Sequence, residues 1–133
     1  MIFTKNEAEF LKSMEECRVA TSHDNIPHVK PVSYIFDNGL FLIATDYETR
    51  MYKNIHSNPF TALTIDIYKH GNHKAVLVQG KATIIENGNE FEIIYKKFHE
   101  KFEWVRDEPW EENEAPFIRI TPTSKTSWGL DAL

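Results

Sequence analysis

Between residues 17 and 45 the chain reads "CRVATS", "HDNIP", "HVKPVSYIF", "DNG", "LFLIAT": apolar runs about one strand long, separated by clusters of Asn, Asp, Gly and Pro. Runs bounded in this way predict β-strands, and connections this short can join only antiparallel neighbours. Three consecutive antiparallel strands are therefore expected here. The pattern resumes with "FTALTIDIY" and "KAVLVQGKATII", the second broken at Gly80, where a bulge or tight bend would let the strand curve. A last strand is expected in "FIRITPTSKTSWGL".

Helical signals fall between these runs. Thr4 and Glu7 have the spacing of a capping box, and Ala8, Phe10, Leu11 and Met14 follow at helical spacing, which predicts an amphipathic helix over about 5–16. A short helix is expected after Thr49, with Met51, Ile55 and Tyr52 on one face and "NP" at 58–59 as its stop. A third is expected over about 90–102, followed by the acidic loop "RDEPWEENEAP". Six strands with inserted helices predict a mainly β fold, a six-stranded antiparallel β-barrel, with an open sandwich as the alternative. At 133 residues the chain is expected to form one domain, 1–133.

Charge and cysteine content exclude several functions. Fifteen basic residues against twenty acidic ones, net -5, give no field for a phosphodiester backbone, so nucleic acid is not an expected partner. No apolar run approaches the roughly 20 residues that span a bilayer, and "MIFTKNEAEF" lacks the pattern of a secretory leader, so no membrane partner and a cytoplasmic location are expected. Cys17 is the only cysteine and sits in an apolar run. His70 and His73 belong to a hairpin-like "KHGNHK" without further ligands, and no metal is expected. His23 and His28 flank the turn "DNIP". No nucleophile elbow, P-loop or dinucleotide fingerprint occurs.

One segment remains, "TDYETRMYKNIHSNP" at 45–59, where Arg50 and Lys53 gather with Thr45 and Thr49. A solvated surface helix accounts for it. So does an anion clamp: a helix N-terminus offers free N–H groups and partial positive charge, and hydroxyls with an arginine fork complete a site for a dianionic phosphate. Lys30 and Ser33 flank Pro31 in a strand that proline permits only at an edge or irregularity, so pairing is expected to stop at "KPVS".

The order "RVATSHDNIPHVKPVSYIFDNGLFLIATDYETRMYKNIHSNPFTALTI" then "AVLVQGKATII" resembles the flavin-binding split-barrel family that includes pyridoxamine 5'-phosphate oxidase, over about residues 7–130. "TRMYKNIHSNP" is similar to the family's clamp helix, and the "VQGKA" strand and the terminal "SW" add to the likeness. The resemblance implies a split barrel that binds FMN at the interface of a homodimer and acts as an oxidoreductase on a small-molecule substrate. It implies phosphate contacts from Lys30, Thr49, Arg50 and Lys53, and ring contacts from Pro31, Val32, Ser33 and the neighbourhood of Thr45. Asn54 is either a ligand contact or a polar group of the helix face; Gln79 is either a donor to the ring's polar edge or a satisfied polar residue of the barrel, and Trp128 either a ring contact or a core or dimer-interface anchor. Met51 stands where many members carry lysine. The family also includes deazaflavin and haem binders, which stay open as alternatives. No catalytic proton-transfer residue is assigned. The tail "SWGLDAL" lacks the arginine- and histidine-containing segment of the oxidases proper, so oxidation of pyridoxamine 5'-phosphate itself is not expected.

Overall fold

Two connections marked by Asn, Asp and Gly are two-residue turns with positive φ at both positions, Asp24 (50°) with Asn25 (62°) and Asn38 (51°) with Gly39 (78°). Such turns match the right-handed twist of the strands they join. The computed structural model describes residues 1–130; residues 131–133 of the expected domain lie outside the described residues. The elements are α1 (Lys5–Ser13), β1 (Glu16–His23), β2 (Ile26–Asp37), β3 (Leu40–Ala44), α2 (Arg50–Ser57), β4 (Phe60–Lys69), β5 (Asn72–Ile85), α3 (Gly88–Lys101), α4 (Glu103–Asp107) and β6 (Phe117–Trp128).

The strands form a closed antiparallel barrel in the order β1-β2-β3-β6-β5-β4, so the barrel expectation holds and the sandwich does not. Closure comes from β1 against β4, with Arg18 opposite Thr64 and Ala20 opposite Ala62. Side chains alternate, so Tyr34 and Phe36 enter the barrel while Ile35 between them points out. The uninterrupted "YIF" run is apolar because both faces are covered: Ile35, Leu42 and Phe117 pack outside the barrel against Phe91, Ile94 and Phe98 of α3. β5 bends at Gly80, where its register with β6 shifts. A Cβ there would lie 2.7 Å from the carbonyl oxygen of Thr121, which only glycine avoids.

The capping box of α1 is present, Thr4 and Glu7 exchanging bonds of 2.8 and 3.1 Å. The Glu7 carboxylate also accepts from Lys125 Nζ and from Ser127 Oγ, locking α1 onto β6. Burial pushes its pKa up, but bonds from Lys125, Ser127 and the Thr4 N–H prevail and hold it near about 2.

Three expected boundaries move. α1 ends at Ser13 rather than 16, because the Glu15 carbonyl accepts from the Tyr34 N–H at 3.1 Å and the Met14 carbonyl from Lys101 Nζ at 2.8 Å; tertiary pairing overrides helical spacing. α4 claims Arg106 and Asp107, the first two residues of the expected acidic loop. Pairing does not stop at "KPVS" on the β1 side, where the ladder runs unbroken from His23 opposite Ile26 to Glu16 opposite Ser33. Only the β3 side is open, since β3 meets β2 from Asp37 to Tyr34 alone. No helix is long and apolar enough to cross a membrane.

Candidate functional site

The site begins where β2 and β3 part. Beyond the Tyr34–Ile43 pair, Ala44 turns to β6 opposite Phe117, and the Thr45 N–H donates to the Pro116 carbonyl at 3.2 Å. β2 therefore keeps one unpaired edge along 26–33. The Tyr34 N–H points to β1, and alternation along the strand aims the position of the missing Pro31 N–H at the open edge, where proline interrupts no ladder. Lys30 shares the face of Val32 and Tyr34, and Val32 packs on the barrel core. A recess of about 410 Å³ there is lined by Lys30, Thr45, Asp46, Trp104 and Trp110, among others. Pro31 is exposed and Ser33 half-buried beside it.

The turn after β3 carries the chain from this recess to α2. Thr49 is the N-cap: its hydroxyl accepts from the Tyr52 N–H at 3.1 Å and stands 2.9 Å from the Thr45 hydroxyl, so recess and helix start are joined by one hydrogen bond. The first turn of α2 contains no acidic residue, and both Arg50 and Lys53 are exposed. Neither they nor Lys30 form an ion pair among the described residues. Cations at a helix N-terminus oppose its dipole, an arrangement that an anion bound there would offset. Tyr47 flanks the turn, its hydroxyl donating to Glu86 at 2.8 Å. Burial, the bond to Glu86 and that carboxylate's charge push the Tyr47 phenol up to about 12.

The opposite face of α2 is structural. Met51 is fully buried in the core, an environment that suits an apolar residue. Asn54 is 2% exposed and donates to the Thr21 hydroxyl at 3.1 Å, turned toward β1 rather than toward the helix start. Trp128 is not brought to α2 within one chain. It ends β6, whose first residue adjoins Thr45, and eleven residues of strand separate the two by roughly 30 Å. There it pairs edge-on with His73, at 5.4 Å. Gln79 lies on the outer barrel face and accepts from Ser124 at 3.0 Å. His73 is the second residue of β5 rather than part of the hairpin turn, which His70 and Gly71 form. Cys17 is buried and desolvation pushes its thiol up to about 12, which leaves it unreactive.

Sequence reasoning missed Trp104, Glu108 and Glu114 as lining of the recess. The signal was two tryptophans in an acidic stretch. Trp110 lies in the expected acidic loop, and its sequence context could not show on which surface the ring docks. Trp110 docks in its own chain, its indole N–H donating to the Ala115 carbonyl at 3.2 Å.

A closed six-stranded barrel, split between β2 and β3 and bearing a cationic helix start after β3, is a split barrel. The sequence profile of the pyridoxamine 5'-phosphate oxidase family matches residues 3–129, and the chain belongs to that family. Solved structures share the fold. A FAD-binding protein from Mesorhizobium loti superposes with a TM-score of 0.77 at 15% identity, covering 94% of each chain. The FAD-binding protein from Mycobacterium smegmatis gives 0.69 at 21%, covering 96% of each. The haem storage protein from Vibrio cholerae gives 0.78 at 15%, covering 91% of this chain and 89% of that one. No curated protein sequence shows significant similarity to the chain.

Proposed function

We propose that the protein binds FMN at the split of the barrel and acts, as a homodimer, as a flavin-dependent oxidoreductase on a small molecule. One observation carries this reading: Arg50 and Lys53 stand at the positive end of α2 without an ion pair among the described residues, beside the Thr45–Thr49 hydroxyl pair, in a chain of net charge -5. A phosphate is the group that resolves that conflict. The donor set suits FMN: Arg50 and Lys53 would hold the phosphate with the Thr49 and Thr45 region, and Lys30 would approach it from across the recess. The unpaired edge of β2 at Pro31, Val32 and Ser33 offers backbone groups and a flat flank to the ring.

The flavin, when bound, supplies the redox chemistry. The chain's own residues anchor and orient it: the α2 start fixes the phosphate, the β2 edge sets the ring's polar surroundings, and the tryptophan wall excludes water from one side of the recess. No side chain is assigned the transfer of a proton.

The dimer is supported by the outer barrel face. A groove of about 560 Å³ there is lined by Ala20, Ala62 and Leu77, and Val29, Ile26 and Phe60 remain 66%, 69% and 66% exposed beside it. Apolar exposure of this extent suits a second copy of the chain. The second copy is also the route by which a Trp128 could reach a flavin, since its own chain keeps it at the far end of β6.

The test is an FMN titration followed by flavin fluorescence and elution volume. Saturation at one flavin per subunit of a dimer is expected. A folded protein that leaves FMN unbound overturns the reading, and deazaflavin and haem are then titrated in its place. Turnover with nicotinamide donors or oxygen separates an enzyme from a carrier.

A further inference from the structure

Trp104 and Trp110 lie parallel, with 7° between their planes and 5.9 Å between ring centres, in the lining of the recess that Lys30 also borders. Core packing accounts for Trp110. It meets Tyr95 edge-on at 5.0 Å and Phe117 at 5.6 Å, and two hydrogen bonds hold it. It does not account for Trp104, which keeps 41% of its surface exposed although it is among the most apolar surfaces the chain could bury.

Charge around this plate is one-sided. Three carboxylates, Asp46, Glu108 and Glu114, line the recess with one ammonium, that of Lys30. Glu108 forms no ion pair among the described residues. An indole face attracts cations through its quadrupole, and flanking carboxylates attract them by charge, so two independent properties of the same wall select the same ligand. A recess of about 410 Å³ suits a small molecule.

We propose that the Trp104 face, with Glu108 and Glu114, binds a small organic cation, an ammonium or pyridinium on an apolar body, and that this wall sets the substrate class of the site. Calling the cation a substrate rests on the flavin reading; its binding does not. The ligand lies with its charge on the Trp104 side, away from Lys30 and from the cations of α2, so that cation and phosphate occupy opposite ends of one split.

The test titrates the full-length protein, with and without FMN, with benzyltrimethylammonium, and follows tryptophan fluorescence and amide chemical shifts. Benzyl alcohol and benzoate serve as neutral and anionic comparisons. Saturable binding of the cation, at least about tenfold tighter than of the alcohol and with benzoate weakest, is expected, with shifts at 104–115. Trp104→Leu, which keeps apolar bulk but loses the π-face, should weaken the cation roughly 2- to 30-fold and spare the alcohol. Glu108→Gln combined with Glu114→Gln should do the same. Similar affinity for all three probes, or cation binding unmoved by either variant, overturns the inference. FMN binding in the same samples separates the two readings. Cation rejected while FMN binds overturns this inference alone; cation bound while FMN is rejected overturns the flavin reading and leaves the recess a cation site.

Discussion

The α1–β6 junction and the start of α2 use the same residue types to opposite ends. At the junction Glu7 is 5% exposed and its carboxylate is met by Lys125, Ser127 and the Thr4 N–H. At α2 the cations Arg50 and Lys53 are exposed, face the positive end of a helix and pair with no carboxylate among the described residues. A buried charge is stable only when satisfied, whereas a charge left unsatisfied on the surface, against its local field, is stable only because water screens it. The first arrangement holds the barrel together. The second is open to a ligand, and the difference in partners, not in composition, tells them apart.

Breaking the α2 side should give the largest effect. Arg50→Ala combined with Lys53→Ala is expected to weaken FMN at least about 100-fold, from the loss of charge-assisted hydrogen bonds, and riboflavin less than about threefold, while thermal stability stays within a few degrees. Equal weakening of both flavins, measured by fluorescence titration, would move the phosphate away from α2.

Breaking the junction should do the reverse. Glu7→Gln is expected to lower stability by about 2 kcal/mol at pH 7, measured by urea unfolding, with FMN affinity unchanged. The sign with pH follows from the carboxyl being held down to about 2, below its ordinary 4.5. The native protein gains this stability above pH 4.5 and loses it as pH falls toward 2, so the gap between wild type and Glu7→Gln should close across that window. A gap that stays constant down to pH 2 would show that Glu7 acts through packing instead.

Thr49 belongs to both sides of the comparison, as helix cap and as expected phosphate contact. Thr49→Ala should lower stability by about 1 kcal/mol. FMN affinity should fall by more than riboflavin affinity but less than in the Arg50/Lys53 variant, and a stability loss with no preference between flavins would leave Thr49 a cap only. The smallest effect is expected at Lys5, whose pair with Glu9 is 4.0 Å long and exposed at both ends. Lys5→Ala should leave the unfolding midpoint and the FMN titration unchanged.

Much of the barrel was legible because its signals are local. The positive-φ turns at Asp24–Asn25 and Asn38–Gly39, the Thr4–Glu7 box, the Thr49 cap and the Gly80 bend each depend on residues adjacent in sequence. The cationic start of α2 was legible for the same reason, since Thr49, Arg50 and Lys53 occupy one turn. What was not legible depended on distant pairing. The second use of Glu7 requires Lys125 and Ser127, and the shortened α1 requires Tyr34 and Lys101. Asn54 looked equally like a ligand contact and a helix-face polar group, and only the position of Thr21 shows which way its amide turns.

The sequence by itself determined the strands, the helices, their order and the cluster of cations at one helix start, because periodicity, capping and turn geometry act over a few residues. Tertiary structure alone decided that β1 closes on β4, that β2 and β3 part beyond the Tyr34–Ile43 pair, and that Trp104, Trp110 and Glu108 line one recess with Lys30. Closure pairs Arg18 with Thr64 and the recess gathers Lys30 with Trp104, residues far apart in the chain, and no local preference encodes such relations. They arise when the apolar faces of the strands and of α3 and α4 are buried together, which leaves the split as the place where the two ladders of β2 cannot both continue.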